Sequence, residues 1–332
     1  MKTNTCAALF SLALLGAGSV LAQTATTKPV GFSSTAGSTG SRLIVPSLVN
    51  ADTFVGTALF NSATNTITPT TSPSWTPAAY NETAFVDGRP NYPTYYVEVQ
   101  TGALEGLVID VVSNSGTAVT VPSGDIPAAL DGQTISIALR QHMTLDKIAE
   151  GSTGLVDYTD SVNLSLPNGN VETRYFTGTN VPGTKWVAGD FATPAGHSIV
   201  YPGSGFILNG GSAASFTFVG SVKTTKTIVP IYANVVNVVG PPNPTTSMLL
   251  LQTNLVGPLG TNNPYGDLIN NIAADGSMNV LGTYYSDGSN LLNGSFAPLA
   301  PAATDSISGN NGVIYSSSSD TTWTIPSIYT GS

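Results

Sequence analysis

From residue 43 onward, apolar residues come in short β-branched or aromatic runs that alternate with polar ones, and Gly, Asn or Asp separates one run from the next. Tyr95-Tyr96-Val97-Glu98-Val99, Gly106 to Val112, Ala118 to Val121 and Thr134 to Leu139 are four such runs. A period of two over this length predicts half-buried strands joined by tight turns. The 22 prolines fall mainly between the runs, where they end strands and blunt edges. Helical spacing is confined to His142 to Ile148, with Thr144 as its cap, and to a counterpart at Tyr265 to Ile272.

The pattern also repeats. Ile44-Val45-Pro46 through Val55-Gly56 lies without a gap over Ile228-Val229-Pro230 through Val239-Gly240. Gly205-Phe206-Ile207-Leu208 through Phe216-Thr217-Phe218 lies over Gly312-Val313-Ile314-Tyr315 through Trp323-Thr324-Ile325. Between these blocks an aromatic strand at Arg174-Tyr175-Phe176 matches Thr283-Tyr284-Tyr285. The expected fold is therefore all-β, with two homologous sandwich- or barrel-like units made by internal duplication. The first unit is expected at 43–56 plus 140–224 and the second at 225–332. Residues 57–139 then form an inserted module of four to six strands that could close into a small barrel, and 23–42 form a linker with an edge strand near Pro29 to Phe32.

Residues 1–22 read as an export signal: Lys2, an apolar stretch from Ala7 to Gly16 too short to span a bilayer, and Val20-Leu21-Ala22 as a small-residue cleavage site. The single cysteine, Cys6, lies inside that signal, so the mature chain has no disulfide, thiol nucleophile or Cys-based zinc site. Charged residues make up 9% of the chain, against about 25% in a typical domain, so hydroxyls and amides must supply the polar surface. The formal net charge of −9 argues against nucleic acid and anionic membrane as partners. No later stretch is long and apolar enough for a membrane helix.

Candidate chemistry is sparse. His142 and His197 are the only histidines, and neither sits in a metal or nucleophile-elbow motif. Glu98 and Asp110 lie on adjacent expected strands and are the best carboxylate pair for a glycoside hydrolase; the competing reading makes them solvent-facing strand positions. The loops Asp157 to Asp160 and Ser286 to Asn290 offer oxygen ligands and leave room for a structural calcium, without EF-hand spacing. Of the aromatics, Trp323, Phe216, Tyr175, Phe176, Tyr284 and Tyr285 recur at matching places and are expected in the cores. Trp75, Tyr92 and Trp186 lie in Pro/Gly-rich stretches and are the candidate sugar-stacking residues.

Several of these stretches together resemble an uncharacterised family of exported β-rich proteins from Verrucomicrobia and their relatives. The marks are Thr27 to Phe32, Phe54-Val55-Gly56-Thr57, Ser72-Pro73-Ser74-Trp75, Tyr95 to Leu107 and the paired aromatic strands. The resemblance covers most of the mature chain. It implies export and a β-architecture and brings no catalytic residue with it. The function expected is a non-enzymatic structural or interaction protein of the cell surface or extracellular space, its partner another copy of itself or a surface polysaccharide. A carbohydrate-binding protein and a glycoside hydrolase with paired carboxylates are the alternatives.

Overall fold

The computed structural model describes residues 30–327 apart from 36, 84–90, 166–169, 243, 245–246, 262–264, 302 and 309. The expected signal at 1–22 and the start of the linker lie outside the described residues. Strand accounts for 43% of the described residues and helix for 5%, so the fold is all-β. No helix among the described residues is long and apolar enough to cross a membrane.

The chain opens with β1 (Val30–Ser34) and β2 (Gly40–Ile44). It then builds one sheet from β3 (Asp52–Asn61), β4 (Thr66–Pro69), β5 (Tyr95–Val99), β6 (Val108–Asp110), β7 (Ser113–Asn114), β8 (Val119–Thr120) and β9 (Thr134–Gln141). It returns through β10 (Met143–Thr144), α1 (Leu145–Glu150), β11 (Ser152–Thr153), β12 (Ser161–Ser165), β13 (Val171–Phe176), β14 (Trp186–Val187), β15 (Ile199–Val200), β16 (Phe206–Gly210) and β17 (Ser215–Ser221). The last third holds β18 (Thr227–Ile231), β19 (Asn237–Val239), β20 (Ser247–Leu249), α2 (Val256–Thr261), β21 (Leu268–Ile272), β22 (Val280–Ser286), β23 (Leu291–Leu292), β24 (Ser306–Ser308), β25 (Val313–Ser316) and β26 (Thr321–Ile325).

Two five-stranded antiparallel sheets share one strand order, β14-β13-β12-β16-β2 and β23-β22-β21-β25-β19. The smaller pairings correspond as well: β1 with β17 and β18 with β26, β10 with β15 and β20 with β24. Each unit has its own core. Phe206, Phe216 and Trp186 anchor the first, and Trp323, Tyr315 and Ile269 the second. A smaller cluster of Leu43, Val45, Val238 and Ile272 lies between the units. There, Val45 N–H donates to Asn310 O at 3.1 Å and Gly240 N–H to Gly203 O at 2.9 Å. The second bond repeats the first with the two units exchanged, which is a local two-fold relation.

The ladder corrects the expected register in two places. Leu43 and Val238 occupy the matching positions, opposite Ile207 and Ile314. Ile228 lies in β18, whose counterpart is β1 and not β2, so the Ile-Val-Pro match at 44 and 228 does not mark equivalent strands. The second is a slip of one residue: Val162 opposes Arg174 and Ile269 opposes Tyr284, so the match to Tyr284 is Arg174. A one-residue slip turns every side chain to the other face.

Helix α1 forms as expected, with the Thr144 hydroxyl accepting from Lys147 N–H and Leu145, Ile148 and Ala149 buried. At Tyr265 to Ile272, expected as a short helix or turn, Tyr265 and Gly266 form a turn and Leu268–Ile272 form strand β21. Ile269 packs into the core of the second unit and Ile272 into the cluster between the units, and the ladder to β22 and β25 outweighs the helical spacing.

Residues 52–56 belong to β3 in the seven-stranded sheet, ordered β6-β5-β9-β3-β4-β8-β7, rather than to the first unit. One run, 108–114, supplies both edges of that sheet. β6 pairs with β5 and β7 with β8, and between them Val111 N–H donates to Tyr95 O while Val112 N–H donates to Thr120 O. The sheet curls around a core that includes Phe60, Ile67, Val97, Val119 and Leu139.

Candidate functional site

The three aromatic residues expected to stack on sugar are not brought together. Trp186 is fully buried, and its indole N–H donates to Leu145 O at 3.1 Å. It packs edge-on against Phe176 in the core of the first unit, so it presents no face to a ligand. Trp75 is half-buried, edge-on to Phe54 at 5.3 Å and to Tyr80 at 5.5 Å, on the seven-stranded unit. Tyr92 stacks on His197 of the first unit, with ring centroids 4.5 Å apart.

Glu98 and Asp110 are not an exposed pair either. Glu98 has no exposed surface. Its Oε1 is 2.5 Å from Lys223 Nζ and accepts from the Thr225 hydroxyl, and its Oε2 is 2.8 Å from Arg140 Nε. Arg140 continues to Asp52 at 2.7 Å and to Asn50 O at 2.7 Å. Burial alone would push the Glu98 carboxyl up; Lys223 and Arg140 outweigh it and hold the group at about 2. The Lys223 ammonium is lowered by its own burial, partly offset by Glu98. With a guanidinium, an ammonium and a hydroxyl all donating to one carboxylate, the ionised Glu98 is the state this geometry fixes. A carboxylate so enclosed cannot reach a glycosidic oxygen, and a solvent-facing role is equally excluded.

Asp110 belongs to a second arrangement, where all three units meet. Tyr201 Oη donates to its Oδ2 at 2.7 Å, and His142 Nε2 lies 3.0 Å from its Oδ1. Beside it opens a cleft of about 320 Å³ walled by Asp125, Pro202, Ile228, Pro230 and Tyr232. Burial, with the Asp110 charge adding to it, pushes the Asp125 carboxyl up. The Tyr201 hydroxyl on Oδ2 ties Asp110 to the first unit, so this residue braces the junction.

The expected calcium loops use their oxygens internally. Asp160 is fully buried and accepts from Val156 N–H, Gly211 N–H and the Ser212 hydroxyl. At the matching place Asp267, also fully buried, accepts from Ser318 N–H and from the Ser317 and Ser318 hydroxyls. Asp287 closes its own turn on Ser289 and Asn290. Among the described residues no group of three or more His, Cys, Asp or Glu could hold a metal ion.

Two surfaces stand out, one at the edge strand expected near Pro29 to Phe32 and one that the sequence did not single out. The first is the edge strand β1. Val30 is 73% exposed and Phe32 77%, and Val219, directly opposite Phe32 on β17, is 64% exposed. Thr35 N–H donates to Phe216 O, so the alternating ladder turns the backbone groups of Val30, Phe32 and Ser34 away from β17. Asn310 Nδ2 donates to Ser34 O at 3.2 Å; β1 has one strand partner among the described residues. The matching strand of the second unit is closed. Ile228 N–H meets Gly106 O of the seven-stranded unit, and Pro230 has no N–H to offer.

The second surface is a pair of aromatic clusters, one on each unit. Tyr158, Phe191, Tyr265 and Phe296 all have positive φ, 56°, 59°, 66° and 59°. That conformation costs a non-glycine residue roughly 1–2 kcal/mol. A periodicity search could not have found them, because they lie in turns. Tyr175 and Tyr285, expected in the cores, are half-buried beneath Phe191 and Phe296, while Phe176 and Tyr284 are buried.

Compared with protein-family models, curated proteins and solved structures, the chain matches none.

Proposed function

We propose that this is an exported, non-enzymatic structural or interaction protein that associates with further copies of itself through the β1 edge. The observation that carries the reading is the contrast between the two units. Matching strands β1 and β18 meet different fates: β18 is covered by the chain's own seven-stranded unit, and β1 keeps outward backbone groups beside three exposed apolar side chains. Edge strands in soluble proteins are usually blunted by charge, proline or a bulge; Val30 to Ser34 has none of these. The carboxylates that could have served chemistry are instead neutralised between units.

The same reading takes the two units as products of a duplication, with a small β-barrel inserted into the first copy. The common strand order and the exchanged pair of bonds support it. Export rests on the signal-like residues 1–22 and on the resemblance to an exported family. Mass spectrometry of the protein recovered from its native cells should give a mature chain starting at Gln23.

The deciding experiment is light scattering with negative-stain electron microscopy on the mature chain over a range of concentrations. Dimers or longer assemblies are expected, and Phe32→Lys with Val219→Lys should return them to monomer without shifting the unfolding curve. A wild-type chain that stays monomeric at every concentration sinks the proposal.

A further inference from the structure

The two aromatic clusters occupy matching places and repeat in detail. In the first unit Phe191 packs on Tyr175 with centroids 4.4 Å apart and lies 6.2 Å from Tyr158. In the second, Phe296 packs on Tyr285 at 4.8 Å and lies 6.0 Å from Tyr265. The supporting backbone repeats with them. Tyr158 N–H donates to Phe176 O and Tyr265 N–H to Ser286 O, two acceptors that match in the ladders of β13 and β22. Phe191 N–H donates to Ala188 O and Phe296 N–H to Asn293 O.

Glycine would sit in these four positions without strain. Aromatic residues sit there instead, and burial does not compensate: Tyr158 and Phe191 are 43% and 47% exposed, Tyr265 and Phe296 53% and 52%. Strain held at an exposed side chain, in the same place in both units, points to something the side chain touches outside the fold.

We propose that the two clusters are paired stacking sites for a neutral polysaccharide. The rings within each cluster tilt against one another by 31–61°, and the two outer rings of each are about half exposed, so each outer ring offers a face of its own to solvent. Such a face suits the flat C–H side of a pyranose ring. Asp157 and Asp190 adjoin the first cluster in sequence and Asp287 follows Tyr285; they accept from Asn180, from Ala192 and Thr193, and from Ser289 and Asn290, so they hold the turns that carry the rings and place negative charge beside them. The same carboxylates, with the chain's net charge of −9, disfavour an anionic glycan or a nucleic acid. Two sites on one chain gain from a polymer that can engage both. The inference is independent of β1 and places sugar contact away from Trp75, Tyr92 and Trp186.

The test uses the whole mature chain in affinity electrophoresis and pull-down against cellulose, mixed-linkage β-glucan, xylan and galactomannan, with alginate as the anionic control. Phe191→Gly and Phe296→Gly each remove a ring and relieve the positive φ. Each should weaken binding to the neutral polymer about tenfold and the double variant at least a hundredfold, while the melting temperature holds or rises. No retention on any neutral polymer overturns the proposal. So does a double variant that binds like wild type, or a melting temperature that falls with each glycine, which would make the rings part of the fold.

Discussion

Glu98 and Lys223 meet at 2.5 Å across 125 positions of sequence, joining strand β5 of the seven-stranded unit to the segment that leads from the first five-stranded unit to the second. Neither side chain has meaningful exposure. Removing the carboxylate leaves two buried cations with one partner fewer, which typically costs about 3–5 kcal/mol. Glu98→Gln should lower the urea midpoint accordingly, and the near-neutral slope should show all three units unfolding together.

The same carboxylate sets an acid limit. Its folded value of about 2 lies below the ordinary 4.5, so its contribution is complete above the unfolded value and is lost as pH falls through 4.5 toward 2. The size is on the order of 3 kcal/mol. Urea midpoints at pH 7 and pH 3 should converge between wild type and Glu98→Gln; an unchanged gap would mean that another group titrates.

Asp160 and Asp267 each hold a turn closed from inside a different core. Asp160→Ala and Asp267→Ala should each cost about 1–3 kcal/mol by leaving buried donors unpaired. Because the two cores are separate, the double variant should show the sum within a few tenths of a kcal/mol. A marked departure from additivity, read from chemical denaturation, would mean the units share one core.

Much of the architecture was legible in the sequence. Short runs such as Thr134 to Leu139 sit in strands, and the gapless match of 205–218 to 312–325 falls on β16, β17 and their counterparts β25, β26. The match of Ile44-Val45-Pro46 to Ile228-Val229-Pro230 misled because β-branched triplets recur in any strand-rich chain; only the ladder shows that Ile44 matches Val239, as Leu43 matches Val238. Glu98 read as solvent-facing because alternation with Val97 and Val99 describes a sheet with one wet side. Its sheet is covered there by residues more than a hundred positions away, and no local pattern carries that information. The exposed aromatics were hidden for the opposite reason, since backbone angle and not residue order sets them apart.

Trp186 and Trp323 each donate an indole N–H to a buried carbonyl, Leu145 O at 3.1 Å and Thr253 O at 2.7 Å. Replacing either with Phe should keep most of the packing and lose one bond, costing about 1–3 kcal/mol. Near-ultraviolet circular dichroism should retain a native signal in both variants, whereas Trp186→Ala would empty a core position and is unsuitable for probing ligand contact.

Gly106 has a φ of +91°, and a β-carbon there would lie 2.2 Å from Lys226 O. Gly106→Ala therefore forces the seven-stranded unit away from β18 and should cost more than 1 kcal/mol. Limited proteolysis should then cut near Lys226 in the variant while wild type resists; equal resistance would show that the contact is dispensable.

In both five-stranded units the chain arrives and departs side by side. Val30 lies opposite Ser221, and Thr227 opposite Ile325, in antiparallel ladders. A pull on the chain would therefore load these ladders from one end and part their bonds in succession, as a zipper opens, instead of shearing them all at once. Anchored at a surface and tugged, such a protein would yield gradually at low force. Any resistance to rupture would come from the Glu98–Lys223 joint, which ties the chain between the two zippers to a third body.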